Sequence, residues 1–142
     1  MTAPAPLLLH AACVAVNGRG LLIMGKSGSG KSALALQLIA LGAALVADDQ
    51  TQITVENGQL IAHAPTAISG MIEARFVGLL SCPAQSKAKL ALVVDLDQTE
   101  TDRLPPQRKI TLAGVDCALA YFTPAPHFGA ALWCYLTHGR LV

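Results

Sequence analysis

Apolar runs and short polar breaks alternate along this chain, and the breaks carry recognisable turn chemistry. Leu7–Val16 is apolar but for His10 and reads as one strand. Asn17-Gly18-Arg19-Gly20 follows, and Asn-Gly between apolar runs is a strong hairpin signal. Leu21–Met24 is then a second strand, antiparallel to the first. Leu34, Leu38 and Leu41 recur at helical spacing over Lys31–Leu41, and Gly42 is a suitable stop. Ala44–Ala47 is a short apolar strand that delivers Asp48 and Asp49 at its carboxyl end. Gln52–Val55 and Gln59–Ala62 flank Glu56-Asn57-Gly58, a second hairpin turn.

The later part is less regular. Ser69–Leu80 contains a segment bounded by Gly70 and Gly78 that carries Glu73 and Arg75. Lys89–Leu96 reads as a buried strand containing Asp95. Gln98–Lys109 is polar, contains Pro105-Pro106 and reads as a loop. Lys109–Leu112 and Cys117–Phe122 form two late strands around a Gly114 turn. Pro124 and Pro126 break the chain, and Ala130–Leu136 is a terminal helix that packs Trp133 inward. Strands and helices of this kind make an α/β domain. The hairpin over Val14–Met24 makes its sheet mixed rather than all parallel.

Composition narrows the class. Of 142 residues, 53% are apolar and 13% charged, which excludes disorder. The length suits one domain spanning residues 1–142, with residues 1–6 as a flexible tail. So much apolar surface on a small body points to a partner or a second subunit. The formal net charge is +1 and no basic stripe is present, which argues against nucleic acid. Leu7–Val16 and Leu90–Val94 are too short to span a bilayer as helices. Met1–Leu9 lacks a basic n-region and carries Pro4 and Pro6, so it does not read as a signal peptide, and a cytoplasmic location is expected. Cys13, Cys82, Cys117 and Cys134 lack metal or Cys-x-x-Cys spacing and read as reduced, mostly buried thiols.

The candidate chemistry starts at Gly25-Lys26-Ser27-Gly28-Ser29-Gly30-Lys31-Ser32, which fits G-x-x-x-x-G-K-[ST]. Glycines let the backbone curl so that several N–H groups face one phosphate chain, and the next helix adds its positive end. Lys31 reaches the β- and γ-phosphates and the Ser32 hydroxyl can coordinate Mg²⁺. Lys26 is either a solvated loop charge or a phosphate ligand. Asp48 and Asp49 lie 17 and 18 residues beyond Lys31, where a strand–loop–helix–strand unit brings a strand end near the γ-phosphate. Two carboxylates there can bind Mg²⁺ and accept a proton from an attacking hydroxyl, or can be a solvated turn. Glu73 can complete a metal site and Arg75 can stabilise a moving phosphoryl group, or the two can be a surface ion pair.

Together these residues resemble the catalytic C-terminal domain of the HPr kinase/phosphorylase family. The match rests on His10, Asn17-Gly18-Arg19-Gly20, the phosphate loop, Val46-Ala47-Asp48-Asp49 and Ile72-Glu73-Ala74-Arg75. It is strongest from His10 to Gly78 and looks like the short alphaproteobacterial form, without the family's N-terminal domain. The resemblance implies a mixed-sheet fold like that of phosphoenolpyruvate carboxykinase, entered by an N-terminal β-hairpin. It implies an ATP- and Mg²⁺-dependent protein serine kinase acting on HPr, the carrier of the sugar phosphotransferase system, and so regulating carbon metabolism. It also implies hexamers. By position, Asp49 corresponds to the residue that takes the serine proton, and His10 to a histidine supporting it. Lys31 corresponds to the phosphate-binding lysine and Ser32 and Glu73 to the Mg²⁺ ligands, beside which Asp48 stands as a metal candidate from the Asp-Asp pair itself. Arg103, in Thr101-Asp102-Arg103-Leu104, resembles the family's later catalytic arginine, although a solvated Arg103 is an alternative there.

Two departures stand out. Arg75 is followed by Phe76 where the family has glycine. The basic, Pro-rich loop tied to phosphorolysis corresponds to Thr123–Gly129, which holds no Arg or Lys. The expectation is a retained kinase direction and weak or lost phosphorolysis. Two other functions compete. A small-molecule P-loop kinase needs a lid and an acceptor pocket, and no lid-like Arg cluster is visible. A nucleotide-binding regulatory module would use Asp95 as its Mg²⁺ ligand and leave Asp49 dispensable.

Overall fold

The computed structural model describes residues 6–65 and 70–142. The expected tail, apart from Pro6, and Ser69 at the start of the Ser69–Leu80 segment therefore lie outside the described residues. Eleven strands and two helices follow one another as β1 (Leu7–Leu9), β2 (Ala11–Val16), β3 (Arg19–Met24), α1 (Lys31–Ala40), β4 (Ala44–Ala47), β5 (Thr51–Glu56), β6 (Gln59–His63), β7 (Met71–Ala74), β8 (Gly78–Ser81), β9 (Lys87–Thr99), β10 (Arg108–Leu112), β11 (Val115–Phe122) and α2 (Phe128–His138).

Nine strands form one mixed sheet in the order β1-β5-β6-β9-β3-β2-β4, with β11 also on β9 and β10 on β11. The fold is α/β with a mixed, curled sheet. Curling follows from connectivity. Strands β1 and β2 are separated only by His10, yet four strands stand between them in the sheet order. The sheet must roll until its ends meet. Thr51, fully buried on β5, closes the corner: its hydroxyl donates to the Ala11 carbonyl of β2 at 2.8 Å. The single strand expected over Leu7–Val16 is thus two, broken at His10. Uniform apolarity hides the break: β2 is buried throughout, and β1 is leucine on its exposed face as well as its inner one.

The turns obey their residues. Asn17 and Gly18 have φ of 51° and 77°, and Asn57 and Gly58 have 52° and 74°, the left-handed pairs of two-residue hairpins. Arg19 and Gly20 therefore belong to β3 rather than to the turn. Helix α1 ends one residue before Leu41. Gly42 N–H donates to Ile39 O and Ala43 N–H to Leu38 O, the paired closure that glycine permits at φ 120°. A side chain at Gly42 would come within 3.2 Å of Trp133, so the stop also seats α2 on α1.

Two hydrophobic cores share the sheet. Residues alternate across a strand, so Ala12, Val14, Leu21, Ile23 and Val94 face Leu34 and Leu38 of α1 and Leu132 and Leu136 of α2. Ala11, Cys13, Ala15, Leu22 and Val93 face the interior of the roll, with Ile53 and Leu60. Small residues on β2 allow the tight curl. Strand β9 runs through Asp95 to Thr99, beyond the expected Leu96, because it keeps pairing with β11 as far as Phe122. The thiols are only partly as expected: Cys13 and Cys117 are buried, Cys82 half-buried and Cys134 exposed. Burial pushes the Cys13 thiol up to about 12, so it stays protonated and inert.

Replacing Thr51 with Val keeps the shape and removes the hydroxyl that satisfies Ala11 O. The expected loss is about 1 to 2 kcal/mol, seen in urea titration as a lower midpoint with unchanged slope. An unchanged midpoint would show that the corner does not depend on this bond.

Candidate functional site

Strand direction collects the chemistry. Strands β9 and β11 run parallel to β3, and β4 does too, since both flank antiparallel β2. Their carboxyl ends therefore share one edge. The Gly25–Gly30 loop follows β3, Asp48-Asp49 follows β4, the Arg103 segment follows β9 and Thr123–His127 follows β11. His10 joins them at the amino end of β2. Open α/β sheets bind ligands at such an edge.

The glycine-rich loop is shaped by its own side chains. A side chain at Gly25 would run into Ser29 Oγ and approach Leu96 Cβ to 3.2 Å, so only glycine fits between them. Gly28 and Gly30 take φ of 82° and 101°. Gly30 is the N-cap of α1 and offers no side-chain cap, and the first turn contains no acidic residue. Backbone N–H groups there are left for a ligand. Lys31 is 7% exposed and donates from Nζ to Gly25 O at 2.8 Å and Lys26 O at 3.0 Å. Its ammonium rests on the loop's own carbonyls. Lys26 and Ser27 are exposed at the crest.

The two acidic residues after β4 diverge. Gln50 N–H donates to Asp48 O at 2.8 Å across a three-residue turn, with Asp49 at its centre at φ 72°. That signature belongs to a rare, strained turn. Asp48 points back, and its Oδ1 accepts the Ser32 hydroxyl at 3.0 Å. Asp49 points out, with Oδ1 3.5 Å from His10 Nδ1. Both carboxylates line a half-open cleft of about 180 Å³ with Gln50, Pro65 and Met71. Burial, and then the Asp48 charge, push the Cys82 thiol up, which marks the end of β8 as close to the same carboxylate. A hydroxyl and a carboxylate oxygen side by side suit a hard cation such as Mg²⁺.

Other expected residues lie further out. Met71 and Glu73 share the outward face of β7. The Glu73 side chain makes no hydrogen bond or ion pair among the described residues, and neither do those of Arg75 and Arg103. The alternative of a Glu73–Arg75 surface ion pair is therefore not what forms. Arg103 is exposed in a loop that is firmly tied at its base. Glu100 accepts from the Thr101 and Asp102 N–H groups and from both Nε and Nη2 of Arg108 at 3.0 Å, and Arg108 stacks on Tyr121. Arg108 holds the Glu100 carboxyl below the usual carboxylate range. Asp95, the metal ligand of the regulatory-module alternative, instead accepts the Asp97 N–H at 2.9 Å, whereas Asp48 meets Ser32. Sequence reasoning missed Asp97, whose carboxylate accepts the Lys26 N–H at 3.0 and 3.2 Å. Its only signal was a second acid just past a strand adjacent to the loop strand.

Phe76, fully exposed at φ 70°, is third in a turn closed by Val77 N–H to Ala74 O at 2.9 Å. Glycine favours that place, so the departure noted in the sequence sits in a glycine conformation.

Comparison with known proteins identifies the family. The family described as HPr Serine kinase C-terminal domain matches residues 4–111. The HPr kinase/phosphorylase of Clostridium novyi is 41% identical over 102 residues, covering 67% of this chain and 33% of the relative. That of Bordetella petrii is 38% identical over 111 residues, covering 70% and 36%. The chain thus spans about a third of the length of these curated relatives. The solved Hpr(Ser) kinase/phosphatase of Coxiella burnetii superposes with a TM-score of 0.75 at 26% identity, covering 89% of this chain and 91% of that one.

Phe76→Gly should relieve the backbone and stabilise by about 0.5 to 1 kcal/mol, the left-handed penalty less the entropy glycine adds to the unfolded chain. Calorimetry should show a melting temperature higher by about 2 to 4 °C. A lower value would mean that the aromatic ring is itself packed in solution.

Proposed function

This chain belongs to the HPr Serine kinase C-terminal domain family, and from that premise we propose that it transfers the γ-phosphoryl group of ATP to a serine hydroxyl of an HPr-type carrier protein, a regulatory input to carbon metabolism. The observation that carries the proposal is the divergent Asp48-Asp49 pair, one carboxylate on Ser32 and the other on His10.

In this mechanism the Gly25–Ser32 loop and the bare start of α1 hold the phosphates by backbone N–H groups. Lys31 leaves the loop carbonyls and neutralises the β- and γ-oxygens. Ser32 and Asp48, with Glu73 on the same side of β7 as Met71, are the residues that would hold Mg²⁺, which would supply charge neutralisation. Asp49, already turned outward, accepts the proton of the attacking serine hydroxyl. His10 orients that carboxylate. Arg75 and Arg103 reach the transferring phosphoryl group from the two loops that carry them. The cleft beside Asp49 is half-open, which suits a protein surface better than an enclosed small molecule. The same contacts speak against the regulatory module, which assigns the metal to Asp95. Self-association fits the fully exposed Phe76 and its neighbours Val77 and Leu79, which are 76% and 67% exposed.

Phosphorolysis is proposed to be weak. Thr123–Gly129 offers no Arg or Lys to inorganic phosphate, and the family match ends before it, at residue 111.

With labelled ATP, Mg²⁺ and HPr, wild type should label a serine, located by mass spectrometry. Asp49→Asn should bind Mg·ATP normally and transfer about 10²–10⁴-fold more slowly. Wild-type transfer by Asp49→Asn would remove the proposed base. Phospho-HPr with phosphate should turn over far below the kinase rate; comparable rates would overturn the directional assignment.

A further inference from the structure

We propose that Asp97 is a positioning residue of the nucleotide site, acting through the peptide unit between Gly25 and Lys26. The inference rests on the nucleotide-binding part of the function proposed above. That single peptide plane is gripped at both ends by opposite charges. Its carbonyl oxygen, on Gly25, accepts the Lys31 ammonium at 2.8 Å. Its N–H, on Lys26, donates to both carboxylate oxygens of Asp97 at 3.0 and 3.2 Å. Cation on the carbonyl and anion on the N–H both follow the peptide dipole, and hydrogen bonds to charged groups are the strong class.

Asp97 is itself held. Its N–H donates to Asp95 Oδ1 at 2.9 Å, and Asp95 is paired with Met24, the last residue of β3. The clamp therefore joins the ends of two adjacent parallel strands, one leading into the loop and the other supplying the carboxylate. Leu96, between the two acids, packs where a Gly25 side chain would lie. The segment Asp95-Leu96-Asp97 thus sets both the space at Gly25 and the tilt of the following peptide.

The consequence appears when nucleotide binds. Lys31 is then drawn to the phosphates and releases Gly25 O. Asp97 becomes the remaining side-chain hold on that peptide. Without it the plane is free to rotate and to turn its carbonyl oxygen towards the phosphate cradle, where oxygen faces oxygen. Asp97 touches neither phosphate nor acceptor in this scheme. It acts on ground-state and transition-state binding alike, so affinity falls while the saturated rate holds.

The test is calorimetric titration of wild type, Asp97→Ala and Asp97→Asn with Mg·ATP, alongside steady-state transfer to HPr. Asp97→Ala should bind Mg·ATP about tenfold more weakly and raise KM for ATP to match, with kcat within about twofold. Asp97→Asn keeps an oxygen acceptor for the Lys26 N–H and should recover most of the affinity. Because Asp97 is exposed, both variants should melt like wild type. Unchanged affinity in Asp97→Ala, an Asp97→Asn as weak as alanine, or a fall in kcat at constant KM would each overturn the inference. Wild type that binds Mg·ATP but phosphorylates no HPr would overturn the kinase proposal and leave the Asp97 titration decisive by itself.

Discussion

The reversal of the chain at Asn17-Gly18 sets β2 against β3, and the return through α1 lays β4 antiparallel on the other side of β2. From that constraint the placement of the site follows. Two strands flanking an antiparallel one must point the same way, so the loop after β3 and the acids after β4 emerge at one edge. His10, entering β2 from that edge, meets Asp49 there. An all-parallel arrangement would need a crossover between β2 and β3 and would move His10 to the far end. The curl adds the second dimension. Because only one residue separates β1 from β2, the sheet rolls and Thr51 is drawn under Ala11, which sets β5 and the Gln50 turn against the acids.

Charge is arranged around that edge with little burial. Lys31 is the buried cation among the described residues, and it is satisfied by carbonyls rather than by a carboxylate. A lysine paired with an acid would lose that partner on moving to a phosphate. One resting on carbonyl oxygens exchanges weaker acceptors for stronger ones. Asp48 and Asp49 avoid facing each other because the strained turn sends them in opposite directions. Neighbouring carboxylates are thereby given separate partners, a hydroxyl and an imidazole. The Glu100–Arg108 pair works at longer range: it ties down both ends of the segment carrying Arg103 without engaging Arg103 itself.

Much of this was legible in the sequence, and the reasons differ by residue. Asn17-Gly18 and Asn57-Gly58 announce their hairpins because few residues other than asparagine and glycine tolerate two consecutive left-handed positions. The glycine loop announces itself because a phosphate needs backbone, not side chains. Gly42 was legible as a helix end for the same conformational reason. The break at His10 was not, since β1 keeps apolar residues even at its exposed Leu8 and β2 is buried on both faces, so apolar pattern alone does not distinguish two short strands from one long one. The end of β9 was not legible: the expected strand stops at Leu96 because Asp97 is a poor strand former and the polar run with Pro105-Pro106 signals a loop, whereas pairing with β11 carries the strand on to Thr99. Arg75 and Phe76 were legible as residues but not as a turn, because a phenylalanine in a left-handed position contradicts local rules.

If Asp49 is the group that takes the serine proton, its carboxylate must stand next to the phosphorus under attack. A crystal structure with Mg²⁺ and a non-hydrolysable ATP analogue measures that separation. An Asp49 oxygen about 4 to 6 Å from the γ-phosphorus, leaving room for one hydroxyl between them, is the predicted result. A separation of about 10 Å or more, with the cleft unchanged, would contradict it.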